Sequence, residues 1–162
     1  MLIRPANESD VPAILVIYNQ IVATSTAIYN DQPVTFEDRL SWFRSRMSSR
    51  YPVIVAEVED KIAGFASFGD FRSWPGYRFS VEHTVHIDHA HRGRGIGKQL
   101  LLALIPLARQ LGKHAMVGGV DAENAVSIRL HESLGFDRVA HFRQIGHKFN
   151  RWLDLIFFEK IL

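Results

Sequence analysis

A strand, a glycine-rich loop and a long apolar helix follow one another between residues 81 and 112, and this succession constrains the fold most. Residues 81–87 alternate in the manner of a strand, and the loop HRGRGIG occupies positions 91–97. Apolar residues at helical spacing predict a helix over residues 98–111, which Gly112 ends. Because glycine readily adopts positive φ angles, such a loop can turn the chain from a sheet into a helix. The segment therefore predicts a layered domain in which helices pack against a sheet.

The remaining segments predict one α/β (α+β) domain that spans residues 1–162. Strands are predicted at residues 2–4, 53–58, 62–68, 81–87, 115–120, 139–145 and 153–160. Two further helices begin at the N-cap residues Asn7 and Thr35, and a last helix runs from Asn124 to near Leu134. The 162 residues, 47% of them hydrophobic, suit a single core, and no linker-like tract divides them.

The charge balance and the lack of cysteine restrict the classes of function. Lys and Arg number 19 and Asp and Glu 17, so the net charge of +2 demands neither a nucleic acid nor an anionic membrane. The absence of Cys excludes disulfides, thiolate metal sites and a cysteine nucleophile. No apolar run approaches the ~20 residues that span a bilayer. We therefore expect a cytoplasmic protein without a nucleic-acid or membrane partner.

The glycine-rich loop has the residues that favour a phosphate group. A helix N-terminus offers free N–H groups and a partial positive charge, and Arg92, Arg94 and Lys98 add cations. The nucleoside-triphosphate loop G-x-x-x-x-G-K-[ST] is excluded, because Gln99 follows Lys98 and Arg92 stands at the first glycine position. The dinucleotide pattern G-x-G-x-x-G also fails, since the glycines lie at 93, 95 and 97. On this segment alone, a plain turn with solvated arginines remains an alternative.

The same loop resembles the acetyl-CoA pyrophosphate loop of the GNAT family of N-acetyltransferases. Arg92-Gly93-Arg94-Gly95-Ile96-Gly97 fits that family's pattern [QR]-x-x-G-x-[GA], whereas His91 departs from the glutamine or arginine that many relatives carry there. The stretches VEHTVHI, LHESLGF and GHKFNRWLD resemble the phosphinothricin and methionine sulfoximine acetyltransferases within the family. The resemblance implies the GNAT fold, a mixed and mostly antiparallel central sheet flanked by helices. It also implies acetyl transfer from acetyl-CoA to the α-amino group of a small amino-acid-like substrate, in detoxification.

The resemblance further implies which residues hold acetyl-CoA. Backbone N–H groups of a strand that diverges from its neighbour are expected to contact the thioester and the pantetheine arm, and Asn124 is expected to contact that arm too. The loop is expected to bind the pyrophosphate. The predicted acetyl-CoA contacts are Val85, His86, Ile87, Arg92, Gly93, Arg94, Gly95, Ile96, Gly97, Lys98 and Asn124.

Two side chains are candidates for proton transfer. We expect Glu82 to act as the base, directly or through a water, although it can equally bind the substrate ammonium as a counterion. His131 stands where many relatives carry a tyrosine as general acid. It is a candidate for protonating the departing thiolate or for assisting Glu82, and its alternative is a buried, hydrogen-bonded histidine.

The acceptor substrate is expected near two short stretches. They supply Arg72, Ser73, Trp74, Glu82, His83 and Thr84. An arginine holds a carboxylate or phosphinate bidentately, and a carboxylate holds an ammonium. The aromatic residues Tyr29, Trp74, Tyr77 and Phe79 are candidates for the pocket wall, and the alternative for Trp74, Tyr77 and Phe79 is that they pin their loop to the core.

The histidines around residue 86 do not predict a metal site. Strand alternation places Glu82, Thr84 and His86 on one face and His83 and Val85 on the other, and there is no H-E-x-x-H motif. The resemblance suggests a homodimer. Other amine acceptors, such as an aminoglycoside or a protein N-terminus, and a non-catalytic CoA-binding module remain alternative functions.

Overall fold

The structure is a computed structural model that describes residues 1–162. Four α-helices are α1 (Val11–Thr24), α2 (Phe36–Ser48), α3 (Ile96–Gln110) and α4 (Ala125–Ser133). Seven strands are β1 (Leu2–Pro5), β2 (Val53–Val58), β3 (Lys61–Asp70), β4 (Ser80–Ile87), β5 (Ala115–Asp121), β6 (Asp137–Lys148) and β7 (Arg151–Ile161). The chain order of strands and helices is the one predicted from the sequence.

All strands form one sheet in the order β1-β2-β3-β4-β5-β7-β6. Every neighbouring pair is antiparallel except β4 and β5, which run parallel. The predicted mixed, mostly antiparallel sheet is therefore confirmed. The parallel pair is joined through α3, as a parallel connection requires a crossover.

Helices cover both faces of this sheet because its central strands alternate between two apolar sets. On one face Val53, Val55 and Phe65 pack with buried residues of α1 and α2. On the other face Ile54, Ala56 and Phe68 pack with α3, in a cluster that extends to residues that follow α4. We call these the α1–α2 face and the α3–α4 face.

Local capping chemistry explains where two helices begin. Thr35 accepts a hydrogen bond from the Asp38 N–H, and the Asp38 side chain bonds back to Thr35, which forms a capping box at the start of α2. Asn7 and Asp10 form the same arrangement at the short 3-10 turn Glu8–Asp10 that leads into α1. The predicted N-caps Asn7 and Thr35 are both confirmed.

Other bounds differ slightly from those predicted. Helix α3 begins at Ile96, in the glycine loop itself, and runs without interruption through the exposed Pro106. Strand β6 is much longer than residues 139–145, and its pairing with β7 is irregular at two places. None of the helices is long and apolar enough to cross a membrane.

Candidate active site

An opening lies in the middle of the sheet because β4 and β5 pair only at their beginnings. The paired residues are Ser80 with Ala115, Val81 with Met116 and Glu82 with Val117. Both strands continue, β4 to Ile87 and β5 to Asp121, without further pairing between them. The divergence expected from the resemblance is therefore present, and it leaves main-chain groups without a strand partner.

The backbone groups that face the opening belong to odd-numbered residues of β4. Phe71 N–H donates to Ser80 O at 3.2 Å, and Asp88 N–H donates to Ala63 O at 2.9 Å, so even-numbered residues bond to β3. The main-chain groups of Val85 and Ile87 consequently point away from β3, past the last β4–β5 pair. Those of His86 point to β3 instead. Of the three predicted backbone contacts of β4, Val85 and Ile87 therefore face the opening and His86 does not.

The glycine-rich loop presents a row of free N–H groups at the start of α3. The N–H groups of residues 93–98 donate no hydrogen bond to any backbone or side-chain acceptor of the protein. Gly93 and Gly95 have φ angles of 76° and 75°, which residues other than glycine rarely adopt. Gly95 is the N-cap residue of α3. Arg92, Arg94 and Lys98 are exposed around it. Free amides, a helix N-terminus and cations together fit a pyrophosphate group.

The loop, the end of β4 and α4 converge beside the opening. A Cβ at Gly97 would lie 3.5 Å from the Leu130 side chain and 3.9 Å from the Ile87 side chain. Asn124 caps α4 by accepting the Ser127 N–H at 3.0 Å. The Asn124 side-chain amide NH₂ has no acceptor in the protein and remains available as a donor. The cofactor-binding stretches predicted from the sequence are therefore neighbours in space.

Glu82 lies on the α1–α2 face at the point where β4 and β5 part. Glu82 pairs with Val117 of β5. A Cβ atom on Gly119, two residues further along β5, would lie 3.4 Å from the Glu82 carboxylate. Burial raises the pKa of Glu82, and the positive charge of Arg72 lowers that pKa in part. The expected rise in pKa through partial burial is confirmed, and Arg72 lies close enough to act on the carboxylate.

The surroundings of Glu82 are apolar and open at one side. Leu155 and Phe157 of β7 approach Gly119 together with the Glu82 carboxylate. The loop between β3 and β4 packs through Phe71, whose ring contacts Phe157 edge-on at 6.0 Å. Ser73, Trp74 and Thr84 are exposed, and Trp74 is 70% accessible. Thr84 and the half-buried Glu82 lie on β4, whereas Arg72, Ser73 and Trp74 lie on the exposed loop that precedes β4.

His83 and His131 form a buried pair on the opposite face of the sheet. Their Nε2 atoms lie 3.1 Å apart, and His131 Nδ1 lies 2.7 Å from Ser127 O. Since a carbonyl only accepts, His131 carries its proton on Nδ1 when neutral, and His83 donates its Nε2–H to His131. His83 Nδ1 is then an acceptor, and it has no partner.

This pair changes the interpretation of both histidines. His83 is 6% exposed and lies on the α3–α4 face, whereas Glu82 lies on the α1–α2 face, so the structure does not bring these two predicted substrate contacts together. The reason is strand alternation, which turns neighbouring side chains to opposite faces. His131 does not contact Glu82. Both of its nitrogens already have hydrogen-bond partners, as in the alternative of a buried, bonded histidine.

Two glycines of β5, Gly118 and Gly119, shape the site, and they were not among the predicted site residues. A Cβ at Gly118 would lie 2.5 Å from His83 Nε2 and 2.8 Å from His131 Nε2. The two histidines therefore pack directly against the backbone of Gly118, where a side chain would collide with them. Gly119 likewise leaves the space beside the Glu82 carboxylate unfilled. The signal was available, because glycine inside a strand marks close approach of another group. No three His, Asp or Glu side chains are grouped to hold a metal ion.

The fold, with a mixed sheet whose two parallel strands diverge, is that of a transferase family that uses acetyl-CoA. Residues 15–136 match the model of the acetyltransferase (GNAT) family. An L-methionine sulfoximine/L-methionine sulfone acetyltransferase from Salmonella typhimurium is 49% identical over 159 residues, 98% of this chain and 93% of that protein.

Two solved structures extend the comparison. A putative acetyltransferase from Salmonella typhimurium with its cofactor acetyl-CoA superposes with a TM-score of 0.97 at 48% identity, covering 99% of this chain and 93% of that one. A ribosomal-protein-alanine N-acetyltransferase from Brucella melitensis has a TM-score of 0.98 at 46% identity, and all of both chains is covered. The chain belongs to the GNAT family and is an acetyl-CoA-dependent N-acetyltransferase.

Proposed function

We propose that the protein acetylates the α-amino group of small amino-acid-like substrates of the methionine sulfoximine, methionine sulfone and phosphinothricin type, and that this removes toxic amino-acid analogues. The observation that carries the proposal is the position of the Glu82 carboxylate, which lies beside Gly119 at the point where β4 and β5 part, with Arg72 on the loop that precedes β4. A cation and a carboxylate near the opening suit a zwitterion. The similar Salmonella protein, named for two such substrates, supports the same class.

The residues around the opening fit acetyl-CoA. The free N–H groups of residues 93–98, with Arg92, Arg94 and Lys98, would hold the pyrophosphate. The main-chain groups of Val85 and Ile87 and the Asn124 amide would hold the pantetheine arm. When bound, acetyl-CoA supplies the acetyl group in activated form. The Val85 N–H, which faces the opening, is placed to donate to a carbonyl oxygen on which negative charge develops.

Glu82 would remove the proton that keeps the substrate amine unreactive. An ammonium has no lone pair with which to attack, so it must first lose a proton to a neighbouring base. A pKa raised by burial makes the carboxylate a stronger base than an exposed glutamate. Before that transfer, the same carboxylate orients the ammonium by charge.

Arg72 would bind the acidic group of the substrate and so fix its orientation. Its guanidinium rests 4.6 Å from the centre of the Phe71 ring and has no carboxylate in an ion pair. A planar guanidinium donates two parallel hydrogen bonds to a carboxylate or phosphinate. Bound between Arg72 and Glu82, the amine lies at the acceptor end of the opening.

The proposal is tested by measuring CoA release from acetyl-CoA with a panel of amines. The panel comprises methionine sulfoximine, methionine sulfone, phosphinothricin, an aminoglycoside and a short peptide. We expect turnover with the first three amines alone. Turnover with the aminoglycoside or the peptide, and none with the amino-acid analogues, would overturn the assigned acceptor. Tight acetyl-CoA binding without any turnover would instead indicate a CoA-binding module.

A second candidate acceptor is the N-terminus of a protein. The similar Brucella chain is named as a ribosomal-protein-alanine N-acetyltransferase. The exposed Trp74, Tyr77 and Phe79 beside the opening offer an apolar surface for a longer substrate. A peptide with N-terminal alanine, added to the same panel, separates this candidate from the first.

We also propose that two copies of the chain form a homodimer in the cytoplasm. Strand β6 is an edge of the sheet, and it exposes large apolar side chains at Val139, Phe142 and Ile145. An edge strand with such side chains is a surface that proteins usually cover. Sedimentation equilibrium at micromolar concentration measures the mass, and a monomer would contradict the proposal.

A further inference from the structure

A buried lysine amine joins the end of the sheet to the first helix. Lys148, the last residue of β6, is 1% exposed, and its Nζ donates to Ser25 O and to Ile28 O, each at 2.7 Å. Ser25 is the C-cap residue of α1, where backbone carbonyls lack helical partners. A cation at this end of a helix is also favoured by the helix dipole.

The segment that Lys148 contacts is the α1–α2 loop, residues 25–35. Tyr29 of this loop packs its ring on Gly146 of β6, where any side chain would collide with it, and donates its hydroxyl to Asp154 O at 3.1 Å. At the other end, Asn19 and Val34 exchange two hydrogen bonds of 2.9 Å. The loop is thus attached at both ends, and Lys148 makes the charged attachment.

This loop lies next to the region around Glu82. Tyr29 bonds to the backbone of Asp154, and the following residue, Leu155, approaches Gly119 together with the Glu82 carboxylate. Burial is the main cause that raises the pKa of Tyr29, and the negative charge of Asp121, at the end of β5 and opposite Leu155, raises it further. Both Glu82 and the loop are on the α1–α2 face. The loop therefore borders the acceptor end of the opening.

The hairpin after Lys148 fixes the position of the amine. Phe149 and Asn150 have φ angles of 51° and 57°, which makes a two-residue turn that pairs Lys148 with Arg151. Phenylalanine rarely adopts positive φ, and such strain persists only where surrounding structure imposes it. The two-residue turn therefore fixes the backbone of Lys148 relative to β7, so that Lys148 does not move together with the α1–α2 loop.

We propose that Lys148 is a positioning residue whose two carbonyl contacts hold the α1–α2 loop against the acceptor end of the opening, so that loss of these contacts weakens acceptor binding. The inference rests on the proposed acetyltransferase reaction and adds a residue on which its acceptor affinity depends. Lys148 acts through the loop, because its amine bonds to the loop's own carbonyls.

The test compares Lys148→Met with Lys160→Met. Methionine has a similar length and no charge, so it fills the buried site without donating. Lys160 is the matched control, because its Nζ also donates to two backbone carbonyls, Leu134 O at 2.9 Å and Gly135 O at 3.3 Å, behind α4. The measurements are KM and kcat for methionine sulfoximine, the Kd of acetyl-CoA, and hydrogen exchange of the amides of residues 26–32.

For Lys148→Met we expect the KM for methionine sulfoximine to rise about tenfold or more, the factor that loss of charge-assisted hydrogen bonds brings. The Kd of acetyl-CoA should stay within about twofold, since Lys148 makes no hydrogen bond to residues 93–98. Exchange in residues 26–32 should become faster. Lys160→Met should change none of these three quantities.

An acceptor KM that is the same in Lys148→Met and wild type, or a parallel change in acetyl-CoA affinity, would overturn the inference. If Lys148→Met does not fold, Tyr29→Phe removes only the hydroxyl contact and should raise the acceptor KM in the same direction by a smaller factor. An unchanged KM in Tyr29→Phe then overturns it. If wild-type protein acetylates no amine, the proposed function fails, while hydrogen exchange still tests the contact of Lys148 with the loop.

Discussion

At the scale of single residues, the basicity of Glu82 results from two opposing effects. Burial disfavours the charged carboxylate and raises its pKa, whereas the nearby charge of Arg72 lowers that pKa in part. A carboxylate with an ordinary pKa of ~4.3 is a weak base for an ammonium. The environment of Glu82 therefore shifts its basicity in the direction that the proposed reaction requires.

Replacing Glu82 by glutamine separates its two proposed roles. The amide keeps the size of the side chain but accepts no proton. We expect kcat to fall at least ~100-fold, the usual contribution of a general base, with acetyl-CoA Kd within about twofold. Steady-state kinetics and calorimetry measure the two quantities. A rise in the acceptor KM alone, with kcat retained, would make Glu82 a counterion and not a base.

Changing Arg72 alters the pH dependence of the same reaction. The base must be ionised, so kcat/KM rises with pH through the Glu82 pKa. Arg72→Met removes the charge that lowers this pKa, and the acidic limb of the profile should move to higher pH. Arg72→Lys keeps the charge and should keep the limb, although it loses the bidentate contact and raises the acceptor KM. If the acidic limb of the kcat/KM profile lies at the same pH in Arg72→Met and Arg72→Lys, the charge of Arg72 does not lower the pKa of Glu82.

The two histidines show how far single residues could be predicted from sequence. The alternation of VEHTVHI correctly placed Glu82 and His83 on opposite faces, because a strand has a fixed period of two. The contact of His83 with His131 was not predictable, since it joins β4 to α4 across Gly118. Local patterns give the direction of a side chain but not its partner.

At the scale of elements, the glycine loop and α3 act as one unit. Its free N–H groups depend on Gly93 and Gly95 adopting positive φ, and no other atom lies within 4 Å of a Cβ built at either position. A side chain at either position would meet no neighbouring atom of the protein. It would be disfavoured by the positive φ angle and would occupy the space of the ligand that the loop is proposed to bind.

Gly95→Val should therefore weaken acetyl-CoA binding, raising its Kd at least ~10-fold, because β-branched residues strongly disfavour this backbone region. The control is Gly112→Val at the other end of α3. Gly112 has a φ of 68° and equally open surroundings, so the strain on folding is comparable. Calorimetric titration should show a raised Kd for Gly95→Val alone. Equal affinities in the two variants would contradict the pyrophosphate site.

Elements were predictable where their signals are local. The caps at Asn7, Thr35 and Asn124 were found because each depends on residues within one turn. Strand β6 was predicted too short, because it is irregular where Gln144 adopts a φ of 50° and bonds through its N–H to Asp154. That irregularity depends on β7, so the sequence of β6 does not contain it.

At the scale of the whole molecule, the order of the sheet determines the site. Strand β7 lies between β5 and β6, so the last strand of the chain forms the wall beside Gly119. The succession of strands and helices was predictable from periodicity, and the split between β4 and β5 followed from the family resemblance. The inserted position of β7 and the loop held by Lys148 arise from contacts between distant segments, which no local pattern records.

Two buried histidines on one face of the sheet, His83 and His131, and the half-buried His86 on the other make the stability of the whole domain depend on pH. Burial lowers the pKa of His83 to about 3 and that of His86 to about 4, and it also lowers the pKa of His131. His83 and His131 face each other and two phenylalanines, while the charges of Arg39 and Arg92 act on His86. None of these histidines has a carboxylate partner that would favour its protonated form.

The folded state consequently binds fewer protons than the unfolded state below pH 6.5. The contribution of these histidines is fully present above that pH and is lost as the pH falls towards their folded values. His83 and His86 should each contribute about 1 kcal/mol to the loss of unfolding free energy between pH 7 and pH 5.5. Urea unfolding at these two pH values should show a smaller loss of unfolding free energy for His86→Asn than for wild type. His114 is exposed, and His114→Asn should leave the loss unchanged. An equal loss in all three proteins would mean that the depressed histidine pKa values do not govern acid sensitivity.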